Sequence, residues 1–595
     1  MGVDLPDGRH EEAVCQVGQL LGQFNHVRAL TDGELAAYGN RFVRGWEIPG
    51  LCGDSDYNLH LLLAKDFPFH PPRVAVSPAP PLLAWPNLEE SGFLCLLSES
   101  GRVSISDPAA VVLSLLDDAQ GLVKANLAGD SQERFEDEFQ SYWTRWNNTS
   151  ASMSLLCSPE GPGRWVSAWH GKHFTLVAED AVTLRSWIKN RYGADTAKKA
   201  EPQPVPLVWL PRPPHPSEYP ANLSAMMSLL RGYGVDHSMV EQLLLDERAR
   251  FKTVVVGFNS QHGVGFAGLH IHEPKRQKRS GNPLTNGFRG RPPGRILLMR
   301  YGAGQIAGAT VTRYDASWIH GRDKNNDVST LVGKSVVVIG CGSLGSTVAE
   351  LMAKAGVGKV IIVDHERLES ENVSRHVMGV SSVGLEKASE MADSLASRFP
   401  HLTIEGHAET FERFIEGNLD QLRSADLIIS ATGNWRVESL VNAMFCESEA
   451  FPPVLSCWLE PHATVGHAIV FFKAQGCLCC LMDDLGNMRI PATVWDGKDT
   501  MVPVPACGGL FQPYGSVELT HVHALVVDLA LDVLLGHVKN STHRVWLGPK
   551  KLLDRTGGMW NPAWVERYGD PEVGGVLRDV AVQNDPHCRE CGVPG

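Results

Sequence analysis

The chain has 595 residues, 43% of them apolar and 20% charged, with 58 Gly, 37 Pro and 15 Trp. At about 100 to 200 residues per domain this length calls for three or four domains, and the composition excludes wholesale disorder, collagen and coiled coil. Lys and Arg total 54 against 67 Asp and Glu, a formal net charge of −13, so the net field does not draw a polyanion and nucleic acid is not an expected partner.

No window offers about 18 uncharged apolar residues, and the start carries Asp4, Asp7, Glu11 and Glu12 where a signal peptide would be apolar. The expectation is a soluble cytoplasmic protein with no membrane partner. Thirteen Cys in such a chain point to thiol chemistry or metal binding rather than to a disulfide framework.

Residues 1–150 show helical patterning near Glu11 to Ala37, two strands around the proline-rich turn of LHLLLAKDFPFHPPRVAV, and helical patterning again from Val111 to Trp146. That is an α+β order. Phe67-Pro68-Phe69-His70-Pro71-Pro72 is followed by Trp85-Pro86-Asn87, and Cys95 stands eight residues after Asn87. An Asn near a Cys can donate a hydrogen bond to the oxyanion formed when an amine attacks a thioester. No base is evident beside Cys95, which suits a thiol loaded by exchange from a thioester already activated.

This stretch resembles the ubiquitin-conjugating enzymes, whose pattern runs F/Y-P-x-x-P-P, then His-Pro-Asn, then the catalytic Cys eight residues beyond the Asn. The resemblance implies a conjugating-like domain in which Cys95 carries the thioester and Asn87 assists. The His of that triplet is Trp85 here; it is usually a structural group, so the change bears on local hydrogen bonding more than on the chemistry. A structural Cys in an inactive domain is the alternative.

Residues 151–305 are expected to form a middle or linker domain. They begin with strand-like pieces and contain EPQPVPLVWLPRPPHPSEYP, whose eight prolines in twenty residues disfavour helix and central strand alike. Pro274 to Arg300 holds eight Lys or Arg and no acid among Gly, Pro and Asn, the texture of a mobile basic surface loop.

Across residues 306–595, apolar runs alternate with amphipathic helices: SVVVIG, KVIIVD, DLIISAT and HAIVFF. This is the pattern of a parallel, doubly wound sheet. SVVVIG passes directly into Gly340-Cys341-Gly342-Ser343-Leu344-Gly345 and a helical stretch, where glycines let the backbone approach a phosphate and helix amides stabilise its charge. Nineteen residues after Gly345, KVIIVD ends at Asp364, placed to bond ribose hydroxyls. Alone, these features say only "nucleotide", with a dinucleotide dehydrogenase as the default. Beyond Asp364, Asn372 and Arg375 are expected on one helical face, and Lys387 follows twelve residues later. Two cations suit a triphosphate under attack at its α-phosphorus, and hydride transfer would not need them.

Together, G-x-G-x-x-G, Asp364 with Glu366, Asn372 with Arg375, and Lys387 resemble the adenylation domain shared by ThiF, MoeB and the ubiquitin-activating enzymes. The resemblance implies a Rossmann-like domain that activates a C-terminal carboxylate as an acyl adenylate, consuming ATP with Mg2+. It further implies a homodimer in which an arginine near the domain's start reaches the partner's ATP site; Arg313 or Arg322 stands in that place, a surface ion pair being the other reading of either. One departure is plain: the family's D-x-T-D-N is DLIISATGN here, so Gly433 replaces an Asp that helps hold magnesium, and Asp426 is given no replacement role.

Cys477 and Cys480 form one C-x-x-C pair, and Cys588 and Cys591 form another 108 residues downstream. Four such thiolates can surround Zn2+ tetrahedrally, although the neighbouring Cys479 leaves ligand identity open. Cys507 sits on a Pro- and Gly-rich loop before a long helix, where a lowered pKa would favour the thiolate. Its place resembles that of the thioester-forming cysteine in compact ubiquitin-activating enzymes, with a buried structural Cys as the alternative; Cys446 and Cys457 read as packing. The whole is similar to the fused activating and conjugating family of bacterial CBASS anti-phage operons. That likeness implies adenylation, transfer to Cys507, trans-thioesterification to Cys95, and an isopeptide joining the C-terminus of a cGAS-like nucleotidyltransferase to an acceptor lysine. Two other readings stay open: a sulfur-carrier adenylyltransferase with a protein-binding N-terminal domain, and a catalytically silent scaffold.

Overall fold

The computed structural model describes residues 8–51, 56–96, 104–129, 131–147, 151–172, 174–261, 263–274, 283–495, 500–503, 510–582 and 584–592. Near the N-terminus, Arg28–Ala29, Phe42–Ile48, Asn58–Ala64 and Arg73–Ser77 pair antiparallel in chain order. Side chains alternate across a strand, so Leu59, Leu61 and Leu63 pack with the helices Arg9–Leu21 and Pro108–Leu127, while Leu62 packs with Leu30, Leu35 and Phe93. The patterning near Glu11 to Ala37 resolves into two helices, because Thr31 and Glu34 form a capping box that starts Asp32–Ala36 afresh.

The helices Gln132–Asp137 and Phe139–Asn147 leave that core. Phe135, Phe139, Tyr142 and Trp143 are buried among Val208, Leu210, Tyr219, Phe258 and Leu269 of the middle region. Trp143 Nε1 donates to Ala309 O at 3.1 Å and Gln140 Nε2 to Phe266 O at 2.9 Å.

The middle region is a closed barrel, in the order Gly263–Ile271, Ile306–Arg313, Ser152–Leu156, Phe174–Ala178, Arg164–His170, Gln203–Leu210 and Thr253–Ser260. Its interior is filled by Met153, Leu155, Val166, Val177, Val205, Leu207, Val255 and Phe266. Three expectations are corrected. The proline-rich segment contributes Gln203–Leu210 as a paired strand: Pro204 and Pro206 lie two apart, so their missing donors fall on one edge, and the ladder to Thr253–Ser260 begins only at Leu207. The basic stretch ends in a helix, Gly294–Tyr301, with Leu297 and Tyr301 buried; residues 275–282 lie outside the described residues. Because Ile306–Arg313 is a barrel strand, the barrel runs past residue 305, where the sequence pattern put the boundary.

The C-terminal part is an eight-stranded sheet in the order Thr403–His407, Lys359–Val363, Ser335–Ile339, Leu427–Ser430, Val454–Leu459, Val465–Phe471, Thr542–Leu547 and Val576–Ala581. The first five are parallel, and the last three, including the HAIVFF run, are antiparallel. Both faces are covered, as a parallel sheet requires. Val338, Val360 and Ile362 pack with Val348, Met391 and Val526 on one side, and Val337, Ile361 and Val363 with Phe414, Val441 and Phe445 on the other. The chain order reverses between Ser335–Ile339 and Leu427–Ser430, which opens a crevice at their carboxyl ends. Among the described residues no helix is long and apolar enough to cross a membrane.

Candidate functional site

The crevice is floored by the glycine loop. Gly340 has a left-handed φ of 88°, and a Cβ on Gly345 would lie 1.8 Å from Gly340 O, so neither position admits another residue without a backbone shift. A Cβ on Gly342 would meet nothing within 4 Å; that side of the loop is open, at the N-terminus of the helix Gly345–Ala355, as a phosphate requires. His376 Nε2 donates to Cys341 O at 2.7 Å while its Nδ1 accepts from Met378 N, and His523 Nε2 donates to Ser343 O at 2.8 Å. Burial lowers the pKa of both imidazoles, so they act as neutral donors that pin the loop. Neither histidine carries a motif that would reveal this role in the sequence.

Asp364 takes the Cys341 N–H at 2.6 Å and the Glu366 N–H at 2.7 Å, tying the second strand to the loop. Asn372 and Arg375 are not on an α-helix. Asn372 ends a 3-10 turn, Ser370–Asn372, and Arg375 N donates to Asn372 O at 2.9 Å in the following turn, so they are still one turn apart. The Arg375 guanidinium stacks on Tyr514 at 4.7 Å, and Tyr514 Oη lies 3.2 Å from Ser343 Oγ. Lys387 is the first residue of the helix Lys387–Arg398 and is 5% exposed. A cation there opposes the helix dipole, and Glu366 Oε2, at 2.6 Å from Nζ, holds it in place.

Three further expectations meet particular surroundings. Arg313 is buried in its barrel strand, bonded to Asp315 through Nε and Nη2 at 2.8 Å and to Asp323 through Nη1 at 2.5 Å. It is the intrachain ion pair, and a guanidinium so held does not reach a partner's ATP site. Gly433 has a left-handed φ of 59° and offers no ligand; behind it the half-buried Glu438 accepts from Ser430, Thr432 and Ser456, and Asp426 bonds Lys334 and Ser335 at the opposite end of the strands. The residues at this corner therefore do not fit the family's magnesium ligand. Cys507 lies outside the described residues.

The sulfurs of Cys477, Cys480, Cys588 and Cys591 lie within 4.8 Å of one another, with Cys477 to Cys588 at 3.6 Å and Cys480 to Cys591 at 3.3 Å. Tetrahedral zinc with Zn–S near 2.3 Å spaces its sulfurs by about 3.8 Å, so the four residues fit zinc. Cys479 is not one of these four; its sulfur accepts from Asn442 Nδ2 at 3.3 Å. Cys477 and Cys588 are buried with Phe445 and Phe471 in the core on one side of the sheet, so removing a metal there loosens that core. We expect metal analysis to find one zinc per chain, and Cys588→Ser or chelation to lower the melting temperature of this half by more than about 5 °C. A metal-free chain of unchanged stability would make the cysteine pairs incidental.

In the N-terminal sheet domain, Cys95 is exposed and donates its N–H to Asn87 O at 2.8 Å. Asn87 has a left-handed φ of 55°. Its backbone N–H donates to Tyr142 Oη at 2.8 Å and its Nδ2 to Glu138 Oε1 at 2.8 Å, while Tyr142 Oη donates to Glu138 Oε2 at 2.7 Å. Arg145 Nη1 donates to Leu88 O at 2.5 Å, and Arg73 pairs with Glu89 at 2.8 Å. Trp85 packs on Tyr57 with ring centroids 4.9 Å apart. Partial desolvation raises the Cys95 thiol pKa, helped by Glu138 and Glu89 and opposed by Arg73 and Arg145. These surroundings do not stabilise the thiolate of Cys95.

The prokaryotic E2 family B pattern matches residues 29–151 and the ThiF family pattern residues 321–545. The chain is similar to the ATP-dependent ubiquitin transferase-like protein Cap2 of Pseudomonas aeruginosa, 26% identical over 83% of this chain and 91% of that protein. It is also similar to ubiquitin-like modifier-activating enzyme 5 of Drosophila mojavensis, 28% identical over 20% of this chain and 32% of that one. A crystal structure of E. coli MccB aligns at 16% identity over 45% of this chain and 68% of that one, with a TM-score of 0.32. One polypeptide therefore joins a prokaryotic E2 family B domain to a ThiF family domain, an enzyme with an activating and a conjugating half.

Proposed function

We propose that the chain activates the C-terminal carboxylate of a polypeptide with ATP, passes the acyl group from Cys507 to Cys95, and joins it to an acceptor lysine. The resemblance to the fused activating and conjugating family of CBASS operons makes a cGAS-like nucleotidyltransferase our choice for that polypeptide, and the likeness to the ubiquitin transferase-like Cap2 spans both halves. The observation that carries the reading is the coexistence of an open glycine loop with a buried Lys387 and an exposed Cys95 bonded to Asn87. Each is incomplete as an enzyme of its own kind, and in sequence they form a relay.

In the first step a carboxylate oxygen attacks the α-phosphorus of ATP and pyrophosphate leaves; Arg375 and Lys387 stabilise the charge that builds there, and Asp364 and Asn372 hold the nucleoside side. Cys507 thiolate then attacks the acyl carbon and AMP leaves. Exchange moves the acyl group to Cys95, and an amine takes it from there. Adenylation uses ATP with Mg2+, and no step is assigned to a protein ligand of the metal. Of the two arginines near the domain start, Arg322, exposed at the end of its helix, is the one left to enter a partner's site in a homodimer. We assign residues 1–150 to conjugation, the barrel to residues 151–313 and the remainder to adenylation with its zinc site.

ATP–pyrophosphate exchange tests the reading. Exchange is expected with a polypeptide bearing a free C-terminal carboxylate and should vanish when that terminus is amidated. Equal exchange with both, or NADH-linked absorbance changes in its place, would overturn it.

A further inference from the structure

The family's His-Pro-Asn loop has lost its His here, yet Asn87 is held from three sides. Its N–H, its Nδ2 and its carbonyl are bonded to Tyr142, Glu138 and Cys95 N respectively. Tyr142 lies on the second helix of the pair packed on the barrel and Glu138 at the junction of the two, outside the four-stranded sheet of the N-terminal domain. Trp85 meanwhile packs on Tyr57. We infer that Glu138, braced by Tyr142, is a positioning residue that holds the Asn87 amide at the reacting thioester, replacing the support that the missing His would give; the inference rests on the reading of Cys95 as an acyl carrier.

The geometry favours this over an incidental contact. An amide nitrogen has two hydrogens; Glu138 takes one and thereby fixes the plane of the other. Glu138 is itself held by two neutral donors, and among the described residues no cation pairs with it, whereas Glu89 is answered by Arg73. In the step it serves, the amine nitrogen attacks the thioester carbonyl and the C–N bond forms as oxygen takes the electron pair. Collapse then breaks the C–S bond, Cys95 leaves as thiolate, and the ammonium proton passes to solvent. Asn87 Nδ2 donates to the transient oxyanion, and a donor gains from being oriented before the charge appears.

The sequence separation of 51 residues between Asn87 and Glu138 explains why no local motif announces the pair. Among the described residues, the charged groups that act on the Cys95 thiol are Glu138, Glu89, Arg73 and Arg145. Removing the Glu138 charge therefore lowers the thiol pKa and raises its thiolate fraction at a given pH.

For the test, the full chain is charged at Cys95 by exchange with a fluorescent glycyl thioester of mercaptoethanesulfonate, then challenged with free lysine. Discharge is expressed per Cys95 adduct located by peptide mass spectrometry. Glu138→Ala is expected to slow discharge at least about tenfold, as loss of an oriented oxyanion donor does. Glu138→Gln, which keeps an acceptor for Asn87 Nδ2, should recover most of the rate. Asn87→Ala combined with Glu138→Ala should cost no more than Asn87→Ala alone, because both act on one interaction. Alkylation of Cys95 by iodoacetamide in Glu138→Gln should reach its midpoint at lower pH than in the unsubstituted chain. Normal discharge by Glu138→Ala, or full additivity with Asn87→Ala, would overturn the inference. Failure of ATP and substrate polypeptide to load Cys95 enzymatically would instead overturn the acyl-carrier reading, and these two failures are read in separate assays.

Discussion

Cys507→Ala should leave the chain able to form an acyl adenylate and unable to form a thioester on either cysteine. Both thiols are proposed carriers, but only Cys507 belongs to the half that makes the adenylate, and proximity decides which nucleophile the short-lived anhydride meets. Cys95→Ala is expected to give the complementary result: a reductant-sensitive adduct persists on Cys507 while conjugated product falls to background. A non-reducing gel with labelled polypeptide substrate separates the outcomes. Should Cys507→Ala load Cys95 at the normal rate, direct transfer from the adenylate would replace the relay. Should adenylate form in the unsubstituted chain and neither thiol ever be charged, a sulfur-carrier adenylyltransferase would be the better description.

Lys387→Ala should reduce pyrophosphate exchange by about 10²- to 10³-fold, the usual cost of deleting a preorganised group that meets charge in the transition state. Lys387 occupies a costly place for a cation, the buried first turn of a helix, where among the described residues Glu366 is its ion-pair partner. Stability alone gives no reason to put it there. Lys387→Met keeps the packing of the side-chain stem and removes only the charge, so it should lose exchange as fully as Lys387→Ala while unfolding at the same temperature as the unsubstituted chain. Arg375→Ala should show a loss of similar size, since it removes the second cation and frees Tyr514 from its stack. Exchange unchanged in both would remove these residues from the site.

The parts of this molecule that were legible in sequence are those whose signals are local. The glycine loop could be read because its residues are contiguous, and Cys95 with Asn87 because a fixed spacing of eight residues separates them. The four clustered cysteines were legible as two C-x-x-C pairs although 108 residues intervene, since each pair carries its own spacing. Tertiary contacts decided the rest. The strand Gln203–Leu210 overrides a run of prolines because its neighbours do not need the missing donors. Arg313 looks like a mobile arm until Asp323, ten residues on, is found to close on it. Tyr514 and His523 support the nucleotide loop from elements that no motif ties to it, and Glu138 reaches Asn87 only because the helix pair turns away from its own sheet to lie on the barrel.

That detour has a consequence for how the chain can be divided. A fragment cut at residue 151, where the E2-like match ends, would carry Phe135, Phe139 and Trp143 with their aromatic faces stripped of the barrel that leaves them 1 to 3% exposed, and an uncovered patch of that kind invites aggregation. A cut before residue 132 would avoid the patch and discard Glu138 and Tyr142 with it. Neither scissor point yields a portable conjugating cassette. The thiol site is co-owned by its neighbour, so the two parts can be grafted or inherited only as a single piece.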